Sequence, residues 1–188
     1  MKVLVAYATR HGATRGIAER VAFTLQGHGL ETVLLPADEV RDVAPFDAFV
    51  IGSAAYRHRW LAPAATLVRA NTTVLASRPT WLFSSGPLGG AAVKPGSDPL
   101  RDSIPKEFGE FERAIHPRDA RVFFGAYDPG APAVTFEDRF MTGFMKLFPQ
   151  VGKEIPSGDY RDWPAIEAWA HGIAAELVGR PAPESVTG

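Results

Sequence analysis

Hydrophobic residues along the chain fall into short continuous runs that alternate with longer segments of helical periodicity. The continuous runs predict five strands: Lys2–Tyr7, Thr32–Leu35, Asp47–Ile51, Thr80–Phe83 and Arg121–Ala126. The periodic segments predict five helices: Thr14–Gln26, Leu61–Ala70, Lys106–Ile115, Thr135–Phe148 and Trp163–Val178. Strands that alternate with helices are typical of a parallel sheet with right-handed crossovers.

Five such strands in 188 residues predict a doubly wound α/β domain with the strand order 2-1-3-4-5. We expect this domain to span residues 1–180, with residues 181–188 as a flexible tail. In such sheets ligands bind beyond the carboxyl ends of the strands, at the switch point between the first and third strands. That rule selects three loops: Thr9–Thr14, Ser53–Trp60 and Ser84–Gly90.

The composition excludes several classes of function. The formal net charge is -1, which gives no electrostatic basis for nucleic-acid binding. The chain has no cysteine, so disulfides, thiolate nucleophiles and cysteine-ligated metal sites are excluded, and redox chemistry requires a bound organic cofactor. The five histidines show no metal-ligand spacing, so we expect no metal site.

The chain shows no signal for export or for membrane insertion. The run after Met1 is too short for a signal peptide, and no apolar run approaches the ~20 residues of a transmembrane helix. We therefore expect a cytoplasmic protein. The segment Thr135–Phe148 has an aromatic face without a strongly basic polar face, which indicates at most peripheral membrane contact and leaves a homodimer contact open.

The loop after the first strand carries the strongest chemical signal. Its residues are Thr9, Arg10, His11, Gly12, Ala13 and Thr14. The start of a helix offers unpaired N–H groups and the positive end of the helix dipole, so it favours a phosphate group. Glycine allows close approach of the backbone, and the threonine hydroxyls add hydrogen bonds. The alternative is that Thr14 only caps the helix and Gly12 only turns the chain.

The second and third loops can accommodate a flat ring. Small residues and an aromatic residue follow the third strand, and serines and a glycine follow the fourth: Ser53, Ala54, Ala55, Tyr56, Ser84, Ser85 and Gly86. Arg57 and Arg59 are candidates for contact with an acidic substrate. The alternative is a solvated basic loop, with Trp60 packed on the following helix rather than stacked on a ligand.

Motifs of competing functions are absent. There is no G-x-G-x-x-G after the first strand, no G-x-x-x-x-G-K-[ST] and no G-x-S-x-G. A phosphoacceptor receiver domain needs aspartates at strand ends, whereas the first strand here ends at Ala8-Thr9 and the third at Gly52-Ser53.

The stretch Val-Ala-Tyr-Ala-Thr-Arg-His-Gly-Ala-Thr at residues 5–14 resembles the FMN phosphate loop of flavodoxins. The chain also resembles the flavodoxin-domain branch that includes menaquinone-dependent protoporphyrinogen IX dehydrogenase. That second resemblance rests on Glu137–Met141, Met145–Leu147 and Asp159–Trp163. The branch has an extra segment before the last helix, and residues 126–160 occupy the corresponding place.

The resemblance implies a flavodoxin-like fold, FMN as cofactor and an enzyme that oxidises protoporphyrinogen IX or a related substrate, with electrons passed to a quinone. The alternative is a flavodoxin-type electron carrier with a redox partner and no substrate site of its own; a flavodoxin fold without flavin is a third. Such carriers usually present an acidic face to basic partners. The predicted loops instead hold Arg10, His11, Arg57, His58 and Arg59, which favours a small anionic substrate.

Overall fold

The computed structural model describes residues 1–86, 96, 98–127 and 157–179. The strands in this part of the chain are β1 Lys2–Ala8, β2 Glu31–Pro36, β3 Ala48–Tyr56, β4 Arg59–Trp60, β5 Thr80–Ser85, β6 Asp119–Phe123, β7 Ala126–Tyr127 and β8 Gly158–Asp159. The helices are α1 Ala13–Gly27, α2 Ala62–Ala70, α3 Thr72–Ser77, α4 Pro99–Asp102, α5 Lys106–Ile115 and α6 Trp163–Val178.

The main sheet has the order β2-β1-β3-β5-β6, and all four pairings between these neighbours are parallel. The two-residue strand β4 pairs antiparallel with β3 and is not part of this row. When the five strands of the row are numbered in chain order without β4, their arrangement is the predicted order 2-1-3-4-5. The predicted doubly wound sheet is therefore confirmed. β7 and β8 form a separate antiparallel pair.

Helices cover both faces of the sheet, which explains the continuous apolar runs. On β1, Val3 and Val5 face a core shared with α1 and α6, while Leu4 and Ala6 face a second core shared with α2 and α5. All four of these side chains are fully buried. A strand buried on both faces has no polar face, so its sequence cannot alternate between apolar and polar residues.

Two helices agree with prediction at both ends, namely α5 and α6. The residue before α6, Asp162, accepts a hydrogen bond from Ala165 N–H at 3.0 Å, and proline follows in the first turn. These are strong local start signals, which explains why the sequence pattern locates this helix correctly.

Other boundaries differ from prediction for tertiary reasons. β3 continues to Tyr56 because its end pairs with β4 across a tight turn. β6 begins at Asp119, two residues earlier than predicted, where the strand pairs with Trp81 of β5. The hydrophobic pattern did not predict the short helices α3 and α4.

Some predictions concern residues outside the described part of the chain. One is the helix Thr135–Phe148, which is the helical part of the extra segment before the last helix. The other is the domain boundary at residue 180, together with the flexible tail 181–188. Within the described residues, no helix has the length and hydrophobicity needed to cross a membrane.

Candidate functional site

A pocket of about 300 Å³ opens at the carboxyl ends of the parallel strands. It lies where the chain leaves β1, β3, β5 and β6, as expected for a ligand site in this kind of sheet. The residues that line it are Thr9, Arg10, His11, Ala13, Thr14, Ala54, Ala55, Tyr56, Arg57, Ser85, Gly86, Gly125 and Ala126.

The N-terminus of α1 forms one wall of the pocket. Gly12 precedes the helix in the left-handed conformation, with φ +84°, and its N–H donates to Thr9 Oγ1 at 3.1 Å. Among the described residues, no side chain caps the start of α1, and its first turn holds no acidic residue. In this part of the chain the positive end of the helix dipole thus has no carboxylate beside it, which suits an anionic ligand.

Two buried hydroxyl groups meet beneath this wall. Thr14 on α1 and Ser85 at the end of β5 lie with their side-chain oxygens 2.7 Å apart. Both side chains are almost fully buried. Only one hydroxyl of such a pair donates to the other, so the second O–H can donate to a further acceptor.

The end of β3 supplies the opposite wall, which is built from small residues and one aromatic ring. Tyr56 is partly exposed, and the guanidinium carbon of Arg10 lies 4.6 Å from the centre of its ring. This is the distance range of a cation–π contact. Arg10 therefore joins the loop after β1 to the loop after β3.

The turn between β3 and β4 is strained. Tyr56 pairs with Arg59, so Arg57 and His58 are the two central residues of a hairpin turn. Both have positive φ, 50° and 59°, as a type I′ turn requires. This turn normally selects asparagine and glycine, so two bulky residues are held here at a cost in backbone energy.

Glu107 on α5 supports that turn from below. Its side chain is 5% exposed, and Oε2 accepts a hydrogen bond from Trp60 N–H at 3.1 Å. The guanidinium of Arg59 lies 3.9 Å from Oε1. His58 O accepts a further bond from Lys106 N–H at 3.0 Å, so α5 fixes the turn at several points.

Trp60 lies in the protein core. It is 5% exposed, and its ring packs edge-on against Phe108 and Phe111 of α5. Trp60 therefore packs on the protein, but its ring contacts lie on α5, whereas the prediction placed them on the helix that directly follows Trp60. Its ring partners on α5 come from 48 and 51 positions further along the chain, a contact that the local pattern does not reveal.

The structure brings most of the predicted cofactor-binding residues to one pocket, with three exceptions: Gly12, Ser53 and Ser84 do not line it. Ser53 Oγ accepts Leu61 N–H at 3.0 Å and donates to Ala54 O at 2.9 Å, so this hydroxyl holds the chain where β3 and α2 meet. Ser84 Oγ donates to Ser53 O at 3.4 Å.

The two predicted substrate residues, Arg57 and Arg59, differ in their position relative to the pocket. Arg57 lines the pocket, whereas Arg59 is not among the lining residues and has its ion pair with Glu107. Together with Arg10 and His11, Arg57 gives the pocket a basic lining, and none of the described lining residues is acidic.

Sequence reasoning missed Gly125 and Ala126, which follow β6 and line the pocket. Gly125 reaches the site because its carbonyl accepts Tyr160 N–H at 3.1 Å. A Cβ on Gly86 would lie 3.1 Å from Ala55 O, and one on Gly125 would lie 3.7 Å from Gly86 N. The strand ends therefore pack backbone to backbone here. The predicted strand Arg121–Ala126 included both residues, whereas the observed β6 ends at Phe123, so the hydrophobic pattern did not indicate that they belong to a loop at the site.

A second cavity of about 420 Å³ lies along the outer edge of β6. Its lining includes Leu100, Ile104, Phe108 and Phe124, with charged residues at its margin. It is larger than the pocket at the strand ends, but the helix start on its wall, that of α6, is already capped by Asp162, and none of its described lining residues carries a hydroxyl group. The described residues also contain no cluster of three or more side chains able to hold a metal ion.

The sequence model of a known family, described as a flavodoxin domain, matches residues 4–149. This chain belongs to that flavodoxin-domain family. Membership implies FMN as the cofactor. No curated protein sequence matches the chain significantly.

Solved flavodoxin structures share the fold of this flavodoxin domain at low sequence identity. A flavodoxin from the domain Archaea superposes with TM-score 0.56 at 15% identity, covering 95% of this chain and 99% of that one. A point mutant of the flavodoxin from Pseudomonas aeruginosa gives 0.56 at 15% identity, covering 95% and 100%. Rubredoxin oxygen:oxidoreductase from Desulfovibrio gigas gives 0.58 at 14% identity; this chain spans only 36% of it.

Proposed function

We propose that this flavodoxin domain binds one FMN in the pocket at the strand ends and serves as an electron-transfer protein. The observation that carries the proposal is the uncapped, acid-free start of α1 at the wall of a pocket whose other wall is small and partly aromatic. When bound, FMN supplies one- and two-electron redox chemistry. The residues of the chain bind and orient it.

The phosphate end of FMN is assigned to residues 9–14. The first-turn N–H groups of α1 present donors to an anion, and the left-handed backbone at Gly12 turns the chain into the helix. The hydroxyls of Thr9 and Thr14 add further donors, and Ser85 orients the Thr14 hydroxyl through their 2.7 Å contact. Hydrogen bonds to a charged group are worth about 1.5–3 kcal/mol each, so this end supplies much of the affinity.

The ring end is assigned to the wall formed by Ala54, Ala55 and Tyr56 together with Gly86 and Gly125. Small side chains allow a flat ring to lie against the backbone, and the partly exposed Tyr56 offers an aromatic face. The same wall shields a ring from bulk water on one side.

Fluorescence titration of the purified protein tests this proposal. FMN fluorescence should change saturably with one site per chain, and riboflavin should bind at least about tenfold more weakly because it lacks the phosphate. Equal affinity for the two flavins would contradict the assignment of residues 9–14, and absence of FMN binding would refute the proposal.

A second candidate function is supported by the basic lining of the pocket. Arg10, His11 and Arg57 lie at the pocket without a lining carboxylate in the described part of the chain, which favours an anionic small molecule over a basic redox protein. The resemblance to the protoporphyrinogen IX dehydrogenase branch suggests which anionic molecule this is, namely a porphyrin that carries carboxylate groups. The same resemblance implies a quinone as the electron acceptor.

Steady-state assays separate these two candidates. Flavin-dependent oxidation of protoporphyrinogen IX with a quinone acceptor would support the enzyme. Reduction of the flavin protein and transfer of its electrons to an added redox protein, without porphyrin turnover, would support the carrier.

A further inference from the structure

Arg161, which follows β8, is held on three sides. Its Nε and Nη2 donate to the two carboxylate oxygens of Asp159, each at 2.7 Å, and its Nη1 donates to Ala13 O at 3.3 Å. One face of the guanidinium lies 4.4 Å from the centre of the Trp163 ring. The side chain is only 17% exposed, so the group is fixed in one position.

Gly16 makes room for this guanidinium. A Cβ at this position would lie 2.4 Å from Arg161 Nη1. Glycine inside a helix is destabilising relative to alanine. At Gly172 on α6, by contrast, a Cβ would meet nothing within 4 Å. The close approach of Arg161 therefore gives a physical reason for glycine at position 16 in the second turn of α1.

The contacts of Arg161 join two walls of the pocket. Asp159 belongs to β8 and pairs with Ala126 of β7, which lines the pocket. Tyr160 N–H donates to Gly125 O at 3.1 Å, a second lining residue. On the other side, Ala13 is the first residue of α1 and also lines the pocket. Arg161 thus connects the β7–β8 pair directly to the start of α1.

We propose that Arg161 is a positioning residue, which holds the start of α1 against the β7–β8 pair and so preorganises the pocket for a phosphate-bearing ligand. This inference rests on the proposed function, in which the start of α1 binds the FMN phosphate. Asp159 neutralises the charge of Arg161, so Arg161 acts by geometry rather than by attracting the anion. The planar, forked guanidinium is needed to contact Asp159 and Ala13 together, which a lysine cannot do.

Three variants test the role of Arg161. Arg161→Met removes the fork, Arg161→Lys keeps the charge but not the fork, and Gly16→Ala displaces the guanidinium without changing the charge. Arg20→Met is the matched control, because Arg20 also stacks on Trp163, at 5.0 Å, but bonds to Glu167 on α6 instead of the start of α1.

Each variant is titrated with FMN and with riboflavin, and amide hydrogen exchange is measured at residues 16–18 without ligand. We expect about a tenfold loss of FMN affinity in all three variants, with riboflavin affinity changed less than about twofold. Exchange at residues 16–18 should be faster in the variants and unchanged in the control.

Full FMN affinity in Arg161→Lys would show that charge rather than position matters and would overturn the proposal. Unchanged exchange and unchanged FMN affinity in Gly16→Ala and Arg161→Met would overturn it as well. If the wild-type protein binds no FMN, the proposed function fails, whereas the exchange comparison still decides whether Arg161 orders the start of α1.

Discussion

The side-chain oxygens of Thr14 and Ser85 lie 2.7 Å apart although 71 positions separate them in the chain. Thr14 lies in the first turn of α1, and Ser85 is the last residue of β5. The contact therefore connects the loop after β1 to the loop after β5. Both groups are almost fully buried, where a hydroxyl needs a partner. The contact therefore fixes the Thr14 hydroxyl beside the first-turn N–H groups of α1.

Thr14→Val should weaken FMN binding by about 1.5–3 kcal/mol, or roughly tenfold to a hundredfold, because it removes a hydroxyl donor without changing the shape of the side chain. Fluorescence titration measures the change. Thr24→Val is the control: Thr24 lies near the far end of the same helix, and its hydroxyl donates to Arg20 O at 2.9 Å.

Ser85→Ala completes a double-mutant cycle with Thr14→Val. If Ser85 acts by orienting the Thr14 hydroxyl, the two losses should be less than additive. Additive losses would mean that the two hydroxyls act independently, and an unchanged affinity in Thr14→Val would remove Thr14 from the site.

The sequence predicted the sheet and most of the pocket because both depend on local patterns. A strand buried on both faces and a loop at the start of a helix can be recognised from neighbouring residues alone, as for β1 and Gly12. The strand order then follows from general rules of chain connection. These two steps were enough to bring the loops after β1, β3 and β5 to one place.

The parts that prediction missed depend on contacts between distant residues. Gly125 joins the pocket through Tyr160, and the end of β3 extends because Ala55 pairs with Trp60 across a turn without glycine. Ser53 was assigned to the cofactor from its place after a strand, but its hydroxyl bonds to Leu61 N–H and Ala54 O. Residue type and position cannot distinguish a serine that faces a ligand from one that fixes the backbone.

Arg57→Glu should raise the KM for an anionic substrate and leave FMN affinity nearly unchanged, if the enzymatic candidate holds. Arg57 lines the pocket, so reversing its charge replaces attraction with repulsion at the site. Steady-state assays with protoporphyrinogen IX and with a neutral quinone measure the effect. Arg113→Glu on α5, at the opposite end of the sheet, is the control for altered net charge.

Arg59→Glu should behave differently from Arg57→Glu. It places a carboxylate beside the buried Glu107, whose Oε1 lies 3.9 Å from Arg59, so we expect a lower melting temperature rather than a selective change in KM.

For Arg57→Glu, an equal rise in KM for the neutral quinone would argue against an electrostatic role for Arg57.

Acid should weaken the fold through two carboxylates that are paired with arginines. A hydrogen bond from Arg161 lowers the pKa of Asp159, and a hydrogen bond from Arg69 lowers the pKa of Glu110. A carboxyl group with a lower pKa in the folded state stabilises the fold above its unfolded pKa, and that contribution is lost as the pH falls through the folded pKa. Thermal melts should therefore show stability decreasing below about pH 4.

Asp159→Asn and Glu110→Gln should each make this decrease shallower, because each removes one of the linked protonations. Both carboxylates are about half exposed, so the effect should be modest and should shrink further at high salt. A pH profile identical in both variants and the wild-type protein would rule out this contribution.

His58→Gly should stabilise the protein by about 1 kcal/mol, since it relieves a left-handed conformation in a non-glycine residue. His58 has φ 59° in the turn between β3 and β4, and its carbonyl bond to Lys106 N–H does not depend on the side chain. A melting temperature raised by about 2–4 °C would agree with this estimate. A lower melting temperature would show that the His58 side chain itself stabilises the turn.

Gly52→Ala should be strongly destabilising. Gly52 lies in the central strand β3, and a Cβ there would come within 2.0 Å of the Phe83 ring, which is fully buried. Neither strand can move without breaking its parallel pairing, so the overpacking should cost about 1–3 kcal/mol or more.

Gly172→Ala is the matched control, because a Cβ there meets nothing within 4 Å and alanine favours the helix. Denaturant unfolding should show the first variant destabilised and the second unchanged or more stable. Adding Phe83→Leu to Gly52→Ala should recover part of the loss, and a loss that the smaller side chain leaves untouched would mean that contact with the Phe83 ring is not its cause.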